Sequence, residues 1–283
     1  MVGGGGALTG VLALFFLEKD TPRDPDAPRP ALDIGGAVLF ALALAAMLAA
    51  WRRGPEEGWV SKPVIALGAF AIVALGAFVR NEALHASPLL PAALLKTPAF
   101  ALGLVGAGLL YVVTFMLAYL LSFHLQRACA LTPAQAGLLM TAQPAMMAIV
   151  APMSGWIADR FGARLPSTTG MVAIAAGMAL AGTWANGCGT PGVQVAVALA
   201  IVGVGAGLFV APNNASIMSA APKDRQSTAA AMAATARNVG MTGGIAIAAS
   251  LEHALGFRRS LYVAAGLAIA GVLLGLVRPI ARS

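Results

Sequence analysis

Charge is what this chain has least of: 10% of its 283 residues are Asp, Glu, Lys or Arg, against about 25% in a soluble domain. With 59% hydrophobic residues and a mean hydropathy of +0.83, that scarcity excludes an ordinary soluble domain. No acidic residue lies inside a long apolar segment. Paired carboxylates, metal-ligand spacings and Ser/His/Asp arrangements are therefore missing from those segments, which argues against an enzyme and against a metal or cofactor. The three histidines, His85, His124 and His253, fall in or beside loops and read as solvated side chains rather than a proton relay. The two cysteines, Cys129 and Cys188, also fall in loops; a disulfide is conceivable, and two unrelated cysteines is the preferred reading. The formal charge of +7 comes without a basic run interleaved with aromatics, so nucleic acid is not a partner. No period-2 alternation bounded by turns is present, which excludes a β-barrel. The N-terminus lacks a basic region ahead of its apolar stretch and does not read as a signal peptide.

What the chain does have is long apolar runs. Residues 1–17 form a short one, too short to span hydrocarbon at about 20 residues, and read as the end of a helix. Residues 18–33 are charged and carry Pro22, Pro25, Pro28 and Pro30, a polar linker. Eight further runs follow, at roughly 34–51, 63–80, 98–122, 136–157, 168–186, 192–218, 228–251 and 260–277, each ended by charges or by Pro and Gly. A polytopic all-α membrane protein is the expectation, with the lipid bilayer as its first partner.

The charged knot Gly155-Trp156-Ile157-Ala158-Asp159-Arg160-Phe161-Gly162-Ala163-Arg164 interrupts this pattern. Such a concentration of charge belongs at water, so it predicts a tight loop between two membrane helices. Asp159 can accept hydrogen bonds from a helix N-terminus, while Arg160 and Arg164 can pair with it or with lipid phosphates. With this loop inside the cell, eleven Lys and Arg fall on the inner side and six on the outer, with Arg237 within a span. That bias predicts an inner membrane protein whose C-terminus is cytoplasmic.

The pattern Gly155-x-x-Ala158-Asp159-Arg160-x-Gly162-x-Arg164 resembles the signature loop of the major facilitator superfamily. The resemblance continues through Pro30-Ala31-Leu32-Asp33, Pro88-Leu89-Leu90-Pro91, Leu94 to Phe100, Gly203-x-Gly205-x-Gly207 with Pro212, Pro222-x-Asp224-Arg225, and Arg237-Asn238-x-Gly240 to Gly244. Together these are similar to the C-terminal part of the fourteen-helix drug:proton antiporters. The resemblance implies an end of a sixth helix at 1–17, a cytoplasmic linker at 18–33, and two linker transmembrane helices at 34–80. A cytoplasmic amphipathic connection at 81–97 and a C-terminal six-helix bundle at 98–283 follow. It implies a proton-coupled efflux antiporter of small lipophilic or cationic substrates, working by alternating access, whose N-terminal six-helix half is missing from this chain. The other reading is a non-transporting fragment or half-module that requires a separate N-terminal six-helix partner.

Several residues stand out for such a role. Arg237, at a depth where a charge costs about 2.5–3.5 kcal/mol, either faces a wet cavity or snorkels to the interface. Asn213 and Asn214, after Pro212, can line a cavity or satisfy the carbonyl that the proline frees, and Gln143 before Pro144 poses the same choice. Tyr111 and Thr114 can line a cavity, although a helix–helix hydrogen bond is the commoner fate. The pairs Gly203/Gly207 and Gly240/Gly244 predict close helix contacts that also permit sliding; Gly271/Gly275 predicts ordinary packing.

Overall fold

The computed structural model describes residues 33–84, 92–184 and 191–277. The expected helix end at 1–17, nearly all of the linker at 18–33 and residues 85–91 of the connection lie outside them. Among the described residues the fold is all-helical. In chain order the helices are α1 (Ile34–Glu57), α2 (Lys62–Leu84), α3 (Ala92–Lys96), α4 (Pro98–Phe123), α5 (Pro133–Met140), α6 (Ala142–Phe161), α7 (Arg164–Trp184), α8 (Pro191–Ser219), α9 (Gln226–Leu255) and α10 (Phe257–Val277).

Local chemistry sets the ends. Asp33 caps α1: its carboxylate accepts from the Gly36 amide at 2.7 Å and from Asn81 Nδ2 of α2 at 2.7 Å, which closes the α1–α2 hairpin at one end. Phe40 and Phe78 pack within the same hairpin, ring centroids 5.2 Å apart. Gly58, Gly162 and Gly256 all have positive φ, between +79° and +90°, and each ends a helix: α1, α6 and α9. α4 runs on through a π-helical turn, His124–Ala128. There His124 stacks on Phe257 of α10 at 4.0 Å between ring centroids, so it is packed rather than solvated. Thr132 and Gln135 then form a capping box with Pro133 in the first turn of α5.

Two expectations change here. The apolar run at 136–157 is one span made of two helices, with a break at Thr141. Pro144 has no amide to give the Met140 carbonyl, and the Thr141 amide is shared between the Gly137 and Leu138 carbonyls. Cys129, expected to be unpaired, is disulfide-bonded. The sequence holds one other cysteine, Cys188, which lies outside the described residues.

Seven of the described spans are long and apolar enough to cross a membrane, counting α5 with α6 and α4 with its π turn. α9 is not among them, because Gln226, Arg237, Asn238, Glu252 and His253 dilute an alanine-rich helix. It is carried by its neighbours instead. A Cβ on Gly240 would overlap the Gly108 carbonyl of α4, and one on Gly244 the Val112 carbonyl. The paired positions rise together, so α4 and α9 run parallel with their backbones touching. Trp51 of α1 lies over Gly243 from the other side, and Trp59 Nε1 donates to Ser250 Oγ at 2.9 Å, fixing the α1–α2 hairpin to α9.

α8 holds the second half of the bundle by the same means. Two residues along a helix turn it by about 200°, so Gly203 and Gly207 share one face and Gly205 takes the opposite one. Gly203 and Gly207 sit against Gln143, Met147 and Val150 of α6, again in parallel; Gly205 meets Gly170 and Ile174 of α7. The apolar core between α4, α7, α8 and α10 is filled by Leu117, Leu120, Met171, Ile174, Met178, Leu199 and Leu261, all fully buried.

Gly244→Ala is expected to destabilise the folded protein by about 1–3 kcal/mol, since the new methyl overlaps the Val112 carbonyl. Gly76→Ala on α2, where a Cβ meets nothing within 4 Å, should stabilise by about 0.5–1 kcal/mol. Denaturant unfolding in detergent reads both; shifts of the same sign would contradict the glycine-contact interpretation.

Candidate functional site

Two cavities open between the helices that carry the residues singled out above. One of about 260 Å³ lies between α4, α6 and α8 and is lined by Tyr111, Thr114, Phe115, Gln143, Pro144 and Met147 among others. A second, of about 310 Å³, lies between α4, α8 and α9 and is lined by Tyr111, Asn214, Ile217, Met218, Ala233 and Arg237 among others. Tyr111 borders both, so the two are neighbouring chambers along one wall.

Arg237 stands about 17 Å along α9 from Gln226, at 1.5 Å per residue, and its side chain is exposed. It forms no hydrogen bond or ion pair with any described residue, and neither chamber is lined by a carboxylate. The guanidinium thus borders the chamber shared with Tyr111 and Asn214. Gln143 likewise makes no side-chain hydrogen bond to the described protein, and its backbone carbonyl supports Gly203. Asn214 is exposed toward the Arg237 chamber.

Other residues take different places. Asn213 is buried, 1% exposed, and lines neither chamber. Its Nδ2 donates to the Gly103 carbonyl of α4 at 3.0 Å, tying α8 to α4 across the core. It was expected on the cavity wall or at the carbonyl freed by Pro212; the carbonyl that its amide reaches belongs to α4. Thr114 borders the smaller chamber, yet its hydroxyl donates to the Leu110 carbonyl of its own helix at 2.8 Å instead of crossing to a neighbour.

The charged knot is mostly helical. Asp159 and Arg160 belong to the last turn of α6, and only Gly162 and Ala163 separate it from α7. The Gly162 amide returns to the Ala158 carbonyl at 2.8 Å, and its φ of +81° demands glycine. Arg160 lies over the Trp156 and Phe161 rings at 5.6 and 5.9 Å. Asp159 is exposed and pairs with neither Arg160 nor Arg164. Arg164 instead donates to the Leu276 carbonyl at the end of α10, closing an orphan C-terminal carbonyl. A Cβ at Gly155 meets nothing within 4 Å, so that face of α6 is open. Exposed Ile149, Met153 and Trp156 extend along the same helix, the least buried span of the bundle.

Sequence reasoning missed Phe115 and Met147 as wall residues, because an apolar side chain facing a chamber is indistinguishable in sequence from one facing lipid. It also missed the Gly103 carbonyl as a partner, since backbone acceptors leave no trace in composition.

The sequence profile described as Major Facilitator Superfamily matches residues 103–282. The uncharacterized transporter YebQ of Escherichia coli K12 is 30% identical over 256 residues, covering 89% of this chain and 54% of YebQ. The multidrug resistance protein Stp of Mycobacterium tuberculosis is 28% identical over 246 residues, 87% of this chain and 44% of Stp. The riboflavin transporter RibZ of Clostridioides difficile is 29% identical over 245 residues, 85% of this chain and 51% of RibZ. The chain thus spans about half the length of the curated relatives it matches.

The two asparagines should separate cleanly. Asn213→Ala leaves the buried Gly103 carbonyl without its donor and is expected to lower stability by about 1–3 kcal/mol, whereas Asn214→Ala should stay within about 0.5 kcal/mol. Thermal unfolding in detergent measures both, and an Asn213 variant as stable as the parent would remove the tie between α8 and α4.

Proposed function

The chain belongs to the major facilitator superfamily, and from that premise we propose that it supplies one half of a small-molecule efflux transporter working by alternating access. That half comprises the six spans from α4 to α10, together with the α1–α2 linker hairpin of a fourteen-helix architecture. In this reading the two halves rock about a midplane cavity, and Tyr111, Thr114, Gln143, Asn214 and Arg237 form this chain's share of its wall. The protein is placed in the inner membrane, with the α6–α7 turn and the C-terminus on the cytoplasmic side, where Lys and Arg are in excess.

The observation that carries this reading is Arg237: an exposed, unpaired guanidinium deep along α9, bordering a chamber shared with Tyr111 and Asn214. Insertion of that charge costs about 2.5–3.5 kcal/mol, and no described residue pairs with it. A polar acceptor on a transported molecule would use it. A lipophilic substrate carrying carbonyl or anionic oxygens suits this wall; a cationic one would need carboxylates from the other half. Proton coupling makes the same demand. The spans of this chain hold no titrating carboxylate in their apolar stretches, so in a proton antiporter the proton would be carried by the other half. The multidrug resistance protein Stp and the riboflavin transporter RibZ among the relatives support the transport of small molecules only as a class.

Alternating access also gives the α6–α7 turn a job. Asp159 is exposed and unpaired in this structure, available to meet the opposing half in one state of the cycle and release it in the other.

Arg237→Ala in the complete transporter is expected to leave its amount in the membrane unchanged and to lower substrate efflux by about tenfold or more, the loss of a charge-assisted hydrogen bond. Efflux from dye-loaded cells, normalised to membrane protein, is the readout. Arg237→Lys should retain part of the activity, and undiminished efflux by the alanine variant would refute the role.

A further inference from the structure

A cavity of about 980 Å³ lies apart from the proposed transport wall. It lies where the linker hairpin meets the bundle, between the last turns of α1, the π-helical end of α4 and the last turns of α9. Arg52 and Glu56 of α1, Arg127 of the π turn, and Glu252 of α9 line it. None of these four groups is ion-paired with another, whereas Arg53 and Glu57, one residue further along, do pair at 3.8 Å. Both signs of charge therefore face the cavity without neutralising one another as Arg53 and Glu57 do. Arg127 is set in place by Phe123, whose ring lies 4.5 Å below the guanidinium, and Tyr119 and His253 add hydrogen-bonding groups at the same level.

Below this mixed-charge rim the walls turn apolar. Leu48 and Trp51 of α1 face Ile245 and Ala249 of α9. The α9 lining runs from Thr242 to His253, about 17 Å along the helix at 1.5 Å per residue. That length accommodates a headgroup and the upper part of an acyl chain. The rim lies at one end of the bundle, level with the α9–α10 junction and opposite the α6–α7 turn, where helices leave the hydrocarbon.

We propose that this cavity binds a zwitterionic phospholipid from the bilayer, its phosphate held by Arg52 and Arg127, its ammonium by Glu56 and Glu252, and one chain descending against Leu48, Trp51 and Ile245. Arginine suits phosphate through its forked donors, and acidic partners select an ammonium-bearing headgroup over an anionic one. The bound lipid fills the seam between the linker hairpin and α9 beside the contacts Trp51–Gly243 and Trp59–Ser250.

The test is native mass spectrometry of the whole chain in detergent, titrated with phosphatidylethanolamine, phosphatidylglycerol or chain-free glycerophosphoethanolamine. Binding is read directly and does not depend on transport. The parent should retain one phosphatidylethanolamine in preference to phosphatidylglycerol and should not retain the chain-free headgroup. The pair E56Q/E252Q is expected to weaken phosphatidylethanolamine by about tenfold and to leave phosphatidylglycerol unaffected; R52Q/R127Q should weaken both lipids. All four residues are near helix ends, Arg52, Glu56 and Arg127 exposed and Glu252 half-buried, and unchanged circular dichroism verifies that the variants fold. Equal retention of both lipids by parent and variants would overturn the proposal. So would binding of glycerophosphoethanolamine as tight as that of the lipid, which would make a soluble zwitterion the occupant.

Discussion

Backbone-to-backbone contact at glycine is the constraint on which this bundle depends. Lipid tails are as apolar as the helix surfaces, so burial alone gives helices little reason to associate, and close packing has to do it. Gly240 and Gly244 let α9 lie directly on the carbonyl ridge of α4, and Gly203 and Gly207 let α8 do the same on α6. Both contacts are parallel, and they correspond. If α4, α6 and α7 are matched with α8, α9 and α10, as inverted repeats within a six-helix half require, the α4–α9 contact becomes the α8–α6 contact. One smooth joint is thus used twice. The chambers bordered by Tyr111 sit beside these two joints, between α4 and α8.

The same economy explains where polarity is tolerated. α9 is the least apolar of the long helices and carries Arg237, and it is also clasped on two sides: by α4 through glycine, and by the hairpin through Trp51 and Trp59. A helix that leaned on lipid for its stability would not accommodate that charge. Asn213 shows the complementary case, a polar group buried in the core because the Gly103 carbonyl receives it, so that it joins helices and leaves the chambers to its neighbour Asn214.

Much of this was legible in the sequence, and the failures have physical causes. Among the described residues every long apolar run became helical, the one at 136–157 as two helices, since in hydrocarbon a backbone has few other ways to satisfy its amides. The ends were misjudged by a turn or two. Asp159, Arg160, Arg52 and Glu56 lie past the apolar runs yet stand in helices, because a helix continues past the apolar boundary until a residue with positive φ stops it, at Gly58 and Gly162. The break at Thr141 had its signal in Pro144, which is easily overlooked within an apolar run. Of the site residues, Tyr111, Thr114, Gln143, Asn214 and Arg237 came together around adjoining chambers, and Asn213 did not. The helical phase of a polar residue tells which neighbours it can face, but not which backbone carbonyl waits there. Cys129 was misread for a related reason: pairing depends on loop geometry that spacing does not encode.

Water access along α4, α6 and α8 is the most direct measure of whether this wall belongs to an alternating-access pathway. Single cysteines at Tyr111, Gln143 and Asn214, introduced into the complete transporter with serines at Cys129 and Cys188, can be titrated in intact cells and in inverted vesicles with a small charged thiosulfonate. A cysteine at the exposed Val73 of α2 serves as the lipid-facing control. The wall predicts reaction at all three sites, with a rate that shifts between the two membrane orientations when substrate is added, and none at Val73. Sites as inert as Val73 in both orientations would mean that this face is sealed in lipid or protein, and the transport reading would fail.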